Sequence, residues 1–191
     1  MTRSFWNLLI YRVPAQPSTQ RVYVWRKLKG WGGLYLQQSV CILPMRENWQ
    51  SKLEKLKGEI VSGGGEADLL TFSIDNQQQN AMLVQRFQQQ ADEEYYEFLG
   101  RCQELHQELN EERELGKLIF AELTENEAEL SKLRSWLPKI RKRDWFEAPK
   151  SSQAVQSLQE CELDFQLFSQ QVYSAQGVHA PEQALPEKLT P

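Results

Sequence analysis

The spacing of apolar and polar positions changes along the chain, and each change predicts a different element. Short apolar runs bounded by Pro or Gly predict strands at residues 7–13, 34–43 and 67–74. Apolar residues three or four positions apart predict two helices between these strands, at 18–29 and 47–61. The order β-α-β, then α-β, predicts an α+β fold of the ferredoxin-like kind, in which helices cover one face of an antiparallel sheet.

The source of the fourth strand stays open in this first part of the chain. A ferredoxin-like sheet has four strands, and the pattern supplies three. The fourth is expected from a split of the 34–43 run, from a later segment or from a partner chain. In the first helix, Val22, Trp25 and Leu28 recur at helical spacing, which predicts that Trp25 is buried and that the basic residues beside it are exposed.

From residue 77 the composition becomes Gln-rich and then Glu-rich, and long helical stripes replace the short runs. Three sets of apolar residues step by three or four positions, which predicts two long antiparallel helices and a shorter third. These sets are Leu83, Phe87, Ala91, Tyr95, Phe98, Cys102, Leu105 and Leu109; Ile119, Leu123, Leu130, Leu133 and Leu137; and Val155, Leu158, Phe165, Phe168 and Val172. We predict a ferredoxin-like domain at 5–75, a helical hairpin or three-helix bundle at 77–175 and a disordered tail at 176–191.

The net charge of -4 conceals a strong segregation of charge. Residues 1–57 hold ten Lys and Arg against two Glu, whereas residues 58–133 hold 17 acidic and five basic side chains. A basic block of this kind favours an anionic partner such as a nucleic-acid backbone. No apolar run approaches the roughly 20 residues of a membrane span, and the N-terminal stretch does not resemble a signal peptide, so we expect a cytoplasmic protein without membrane contact.

Motifs for catalysis and for cofactors are lacking in the sequence. The two histidines, His106 and His179, fit no Ser-His-Asp or Cys-His arrangement. Cys102 and His106 are one helical turn apart but supply too few ligands for a metal, and the three cysteines suggest no disulfide framework. The three glycines at 63–65 lack the Lys and Ser or Thr of a phosphate loop. We predict a non-enzymatic protein with no cofactor and no metal.

Two basic clusters are the candidate binding sites. The first could follow a phosphate backbone, because Lys and Arg neutralise phosphates and release counterions. The second could bind a phosphate or an oxyanion, because guanidinium groups offer paired donors to tetrahedral oxygens. The clusters are Arg21, Arg26, Lys27 and Lys29, and Lys139, Arg141, Lys142 and Arg143.

Each cluster also has a structural alternative. The first is also consistent with a solvated helix face over a core anchored by Trp25. In the second, Arg141 and Arg143 could pair with the acidic helices, while Asp144 caps a turn and Trp145 and Phe146 dock on the helical bundle.

Several phrases of the sequence resemble the N-terminal domain of the ChrB family, which is associated with bacterial chromate resistance and its regulation. They are LLIYRVPAQPSTQRVYVWRKLKGWGGLYLQQSVCILP at 8–44, GGGEADLL at 63–70, FQQQADEEYYEF at 87–98 and LSKLRSWLPKIRKRDWFEAP at 130–149. The resemblance extends over residues 5–175 and implies a regulatory protein of the chromate response, with DNA as a partner and chromate as an effector. Full-length members carry a further C-terminal domain, which this chain is expected to lack.

The first 75 residues also resemble, more distantly, the ferredoxin-like domain of the small CRISPR adaptation nuclease-like proteins and of the phenylacetic-acid repressors. Those nuclease-like proteins hold a metal with an Asp at the end of the first strand. Here the corresponding residues read IYRVP and offer no carboxylate, which disfavours metal-dependent cleavage. The alternative to a DNA-binding regulator is a non-catalytic interaction module, or a homodimer, with a ferredoxin-like edge and apolar helical stripes.

Overall fold

The computed structural model describes residues 4–16, 18–47 and 49–178. The strands of this described part are β1 (Ser4–Arg12), β2 (Leu34–Gln37), β3 (Val40–Pro44) and β4 (Glu66–Ile74). The helices are α1 (Ser18–Gly30), α2 (Trp49–Ser62), α3 (Gln77–Glu114), α4 (Phe120–Arg143) and α5 (Ser151–Ala175). The strands form one antiparallel sheet in the order β2-β3-β1-β4. The predicted α+β class is confirmed. The ferredoxin-like fold stays a prediction, although the element order β-α-β-β-α-β up to β4 is the order that this fold requires.

The fourth strand comes from a split of the 34–43 run, which confirms the first of the three alternatives. Gln38 and Ser39 form a turn that separates β2 from β3. Ser39 has a φ of 64°, in the left-handed region, and its carbonyl accepts a hydrogen bond from the Tyr11 amide at 2.9 Å. Because this turn lacks the Asn-Gly or Asp-Gly pair typical of tight hairpins, the sequence gives little sign of it.

Within the first compact unit, which comprises Met1–Tyr96 and Pro138–Ser151, apolar residues are buried on both faces of the sheet. Successive side chains of a strand point to opposite faces. Leu9 pairs with Cys41 on the face that α1 and α2 cover. Trp6 lies on the other face and stacks on Phe87 of α3, with ring centroids 5.6 Å apart. The start of α3 therefore adds a layer to the predicted arrangement, in which helices cover one face.

The predicted burial of Trp25 is wrong, because the side chain is 50% exposed. The buried residues of α1 are Val24 and Leu28, one helical turn apart. Contacts with α2 fix this rotation of the helix: Gln20 Nε2 donates to the Ile60 carbonyl at 3.2 Å, and Lys27 pairs with Glu59 at 2.9 Å. Both rotations satisfy helical spacing, so the apolar pattern alone does not distinguish them.

The second compact unit comprises Glu97–Leu137 and Ser152–Pro191. In it α4 runs antiparallel to α3, since Phe98 packs on Trp136 and Asn126 Nδ2 donates to Glu112 at 2.8 Å. The α5 helix runs parallel to α3, as three contacts show; they are the Cys102–Cys161, His106–Asp164 and Arg113–Gln171 pairs. None of the described helices is long and apolar enough to cross a membrane.

The three predicted apolar stripes are buried or half-buried throughout the described helices, except for Ile119, which precedes α4 and is 44% exposed. The predicted domain limits, 5–75 and 77–175, stay a prediction. The two compact units are interleaved along the chain. Of the tail predicted to be disordered, residues 179–191 lie outside the described part.

We predict that Gly32→Ala destabilises the protein by about 2 kcal/mol or more, measured by urea denaturation. Gly32 has a φ of +71°, and a Cβ there would overlap the carbonyl oxygen of Arg143 and lie 2.8 Å from Trp145 Nε1. The matched control is Gly58→Ala inside α2, where a Cβ meets nothing within 4 Å and should stabilise the helix by about 0.5–1 kcal/mol. Equal effects of the two substitutions would contradict the close approach at Gly32.

Candidate functional site

A groove lies beside α1 in the first compact unit. Three parts of the chain form it: the end of β1 with the loop that follows, the exposed side of α1, and β2 with its turn. Its cavity volume is about 800 Å³. The lining residues are Tyr11, Arg12, Val13, Ala15, Arg21, Val22, Trp25, Lys29, Tyr35, Gln37, Gln38 and Ser39. This lining combines three basic side chains with aromatic surface and contains no carboxylate side chain.

Two tyrosine hydroxyls form the polar floor of the groove. The hydroxyl oxygens of Tyr11 and Tyr35 are 2.9 Å apart, so that one hydroxyl donates to the other. Burial raises the pKa of both side chains, which keeps both hydroxyls protonated at neutral pH. The pair therefore retains one O–H that can donate to a ligand in the groove.

Two of the basic side chains in the groove bond to neutral acceptors. Arg21 donates to the carbonyl of Ala15 at 2.8 Å, and Lys29 Nζ donates to Gln90 Oε1 at 3.3 Å. A neutral acceptor orients the side chain without cancelling its charge. Arg21 and Lys29 therefore leave a positive field in the groove that a carboxylate partner would have removed.

The other basic residues around α1 differ in this respect. Arg12 pairs with Glu66 at 2.5 Å, and Lys27 pairs with Glu59 at 2.9 Å, so their charges are compensated. Arg26 is exposed and makes no hydrogen bond or ion pair within the described residues. Of the four predicted residues, the structure thus brings Arg21 and Lys29 together in the groove, places Arg26 on the exposed side of α1, and turns Lys27 toward α2.

Trp25 is the lone tryptophan whose ring has no aromatic or cationic partner among the residues that the structure describes. Every other tryptophan ring packs on another aromatic ring. Trp25 instead lines the groove with half of its surface exposed. Its ring is thus available to a ligand.

The second predicted cluster lies at the end of α4. Arg143 forms an ion pair with Glu94 of α3. Lys139, Arg141 and Lys142 are exposed and make no hydrogen bond or ion pair within the described part of the chain. Basic side chains in a last helical turn also interact favourably with the partial negative charge of that helix end. Whether these residues bind an oxyanion stays a prediction.

The residues that follow this cluster are built into the first unit. Asp144 accepts a hydrogen bond from the Ala148 amide at 2.9 Å and from the Tyr95 hydroxyl at 3.1 Å. Trp145 Nε1 donates to the Trp31 carbonyl at 2.9 Å. Asp144 therefore caps the turn as the structural alternative predicted.

The aromatic residues after Asp144 pack within the first compact unit, Trp145 on α2 and Phe146 between β1 and the start of α3. The Trp145 ring lies 4.9 Å from that of Trp49, and the Phe146 ring lies 5.8 Å from that of Trp6 and 5.5 Å from that of Phe87. The predicted docking on the bundle is wrong for Trp145, because its ring packs on Trp49 of α2. Phe146 does contact a helix of the predicted bundle, because Phe87 lies on the apolar stripe of α3.

Within residues 4–16, 18–47 and 49–178, no three His, Cys, Asp or Glu side chains are placed to hold one metal ion. Cys102 and His106 have separate partners: Cys161 Sγ donates to the Cys102 carbonyl at 3.5 Å, and His106 Nδ1 lies 2.8 Å from Asp164. Burial raises the pKa of Cys41 to about 12, which leaves little thiolate at neutral pH.

Sequence reasoning missed the tyrosines of the groove. Tyr11 and Tyr35 each stand in an apolar run and have the pattern of ordinary strand residues. They come together because β1 and β2 are both neighbours of β3 in the sheet. The split of the 34–43 run, one of the three alternatives for the fourth strand, would have placed the two tyrosines near each other.

Comparison with protein-family models finds a match between residues 21–179 and the model described as "Protein ChrB, N-terminal". The match covers most of the chain and confirms the resemblance seen in its phrases. No curated protein and no solved structure matches the chain.

We predict that Asp144→Ala destabilises the protein by about 2 kcal/mol, because it leaves the Ala148 amide and the Tyr95 hydroxyl without their acceptor. Urea denaturation measures the change. Asp68→Ala, an exposed carboxylate on β4, is the control and should change the free energy of unfolding by less than about 0.5 kcal/mol. A result for Asp144→Ala within the range of the control would refute its role as a cap.

Proposed function

This chain belongs to the ChrB N-terminal family, and we propose that it is a regulatory protein of the chromate response that binds DNA through the exposed side of α1. Its role is binding, without catalysis. The observation that carries the proposal is that Arg21, Arg26 and Lys29 have no carboxylate partner within the described residues. We call these three residues the α1 basic surface.

The α1 basic surface suits a phosphate backbone. Lys and Arg side chains that contact phosphates displace condensed counterions, and the entropy of their release drives binding. About three such contacts correspond to a slope of roughly -3 in a plot of log affinity against log salt concentration. Lys27, which the sequence placed in the same cluster, is left out of this surface because Glu59 already neutralises it.

The regulatory part of the proposal rests on family membership. The family is that of the chromate response, so chromate is the proposed effector of DNA binding. An effector must bind the free and DNA-bound states with different affinity, and by linkage it then changes DNA affinity by the same factor. Sulfate has the same tetrahedral shape and charge, which makes it the matched anion control.

We predict that the double variant Arg21→Gln and Arg26→Gln binds duplex DNA at least about tenfold more weakly at low salt. Its salt slope should be smaller by about two, because two phosphate contacts are lost. Fluorescence anisotropy with a labelled duplex across a salt series measures both quantities. Repeating the series with chromate and with sulfate tests the effector.

The control for this experiment is the double variant Lys55→Gln and Arg86→Gln. Both residues are exposed and belong to the same compact unit, so the net charge changes equally. This variant should keep the affinity and the slope of the unaltered protein. An equal loss in both double variants would point to net charge instead of the α1 basic surface, and no binding even at low salt would refute the DNA proposal.

A second candidate function, pairing with another copy of the chain, is favoured by the edge of the sheet. β4 is a nine-residue edge strand bonded to β1 alone in the described sheet. Leu70 on β4 is 51% exposed, and Ile10 on the neighbouring strand is 40% exposed. A long edge strand with exposed apolar residues can pair with a strand of a second chain.

We predict for this second candidate a concentration-dependent dimer in sedimentation analysis, which Leu70→Lys converts to monomer. A charged side chain on an edge strand disfavours pairing. Val61→Lys, at an apolar residue of α2 that is 52% exposed, is the control and should leave the dimer intact. A monomer at all concentrations excludes this function.

A further inference from the structure

The exposure of Trp25 in the groove is unusual for so large an apolar side chain. Tryptophan is buried to a high degree on average, and the other tryptophans of this chain pack on aromatic rings. On the same helix, the Tyr23 ring carries Lys27 Nζ at 4.7 Å from its centroid. Trp25 has no such neighbour within the described residues, although Arg21 and Lys29 line the same groove. Its ring is thus a free stacking surface between two uncompensated positive charges.

The groove has the size and the mixed chemistry of a ligand site. Its volume of about 800 Å³ lies within the range of about 300–1,000 Å³ that is usual for small-molecule sites. A small inorganic anion would satisfy the cations but leave the indole ring unused. A purely apolar ligand would use the ring but leave the cations unused. The lining therefore favours a ligand that has both a flat aromatic part and an anionic part.

The geometry points to an unpaired nucleotide in this groove, with its base stacked on Trp25 and its phosphate between Arg21 and Lys29. In a closed duplex the faces of the bases are covered by their neighbours, so a duplex presents phosphates and base edges but no free ring face. A single strand or a free nucleotide exposes that face, and base–aromatic stacking is a common means of holding it. This inference rests on the proposed function and makes it narrower, because it names the unpaired strand as the occupant of the groove.

Polar groups that can bond the edge of the base line the same groove. The hydroxyl pair of Tyr11 and Tyr35 keeps one O–H to donate. The side chains of Gln37 and Gln38 are exposed and make no hydrogen bond within the described part of the chain, so their amide groups can both donate and accept. Groups that both donate and accept suit several bases, which predicts binding with weak sequence preference.

The test compares the affinities of the full chain and of its Trp25→Leu variant for single-stranded and for duplex DNA. Fluorescence anisotropy is measured with a labelled oligothymidylate of about ten nucleotides and with a duplex of equal length. We expect Trp25→Leu to weaken binding of the single strand by about five- to 100-fold and to lower the ratio of single-strand to duplex affinity. Trp25→Phe, which keeps a ring, should retain most of the affinity. Competition with thymidine 5′-monophosphate shows whether a free nucleotide occupies the same groove.

Tyr23→Leu is the matched control, because Tyr23 is an exposed aromatic residue of α1 that does not line the groove. Thermal melting followed by circular dichroism checks that all variants fold. The inference is overturned if Trp25→Leu and Tyr23→Leu bind the single strand equally well. If the duplex still binds, with a salt slope that falls in the Arg21→Gln and Arg26→Gln double variant, the proposed function holds although this inference fails. If the mononucleotide binds but neither form of DNA does, the nucleotide site in the groove is supported and the proposal of DNA binding is refuted.

Discussion

Trp145 lies between the Trp49 ring and the turn that joins α1 to β2, and this contact closes the first compact unit. Its indole N–H bonds to the Trp31 carbonyl, and the Arg46 guanidinium lies 4.9 Å from its ring centroid. Gly32 permits the approach, because a side chain there would collide with the incoming backbone. Burial of so large a ring contributes several kcal/mol, about what the hydrophobic effect yields for 150–250 Å² of apolar surface. The sheet, α1 and the start of α3 all border this cluster.

The same contact orders the end of the second basic cluster. Arg143 and Asp144 lie immediately before Trp145, and their bonds to Glu94 and Tyr95 hold the segment on α3. A charge that is used in this way is compensated by the fold. Lys27 of the first cluster is compensated in the same way by Glu59, whereas Arg21, Arg26 and Lys29 bond to neutral groups or to none within the described residues, and Lys139, Arg141 and Lys142 have no partner there either. Cations of one cluster can therefore differ in the charge that they offer to a partner, and the group that each cation bonds within the fold decides this difference.

Local periodicity predicted the elements well where one face of a helix is buried along its length. The stripes from Leu83 to Leu109 and from Leu123 to Leu137 needed no knowledge of distant contacts. The rotation of α1 did need it, because the bonds of Gln20 and Lys27 to α2 span 40 and 32 residues. Arg21 and Lys29 could be named from the sequence as basic residues of one helix. The groove that they line could not be predicted, because it depends on distant contacts in the same way. It exists only once β2 and β1 lie in one sheet, with Trp25 turned away from the core.

The bond between Trp145 and Trp31 joins residues 114 positions apart. A ribosome adds about 5–20 residues per second, so the interval between completing β4 and supplying Trp145 lasts about 4–15 s. During this time Trp31 and Trp49 lack the partner that Trp145 supplies to both of them. We therefore expect the nascent chain to expose aromatic surface that the finished protein covers in part, and transiently exposed apolar surface of this kind is what makes folding chains prone to aggregate.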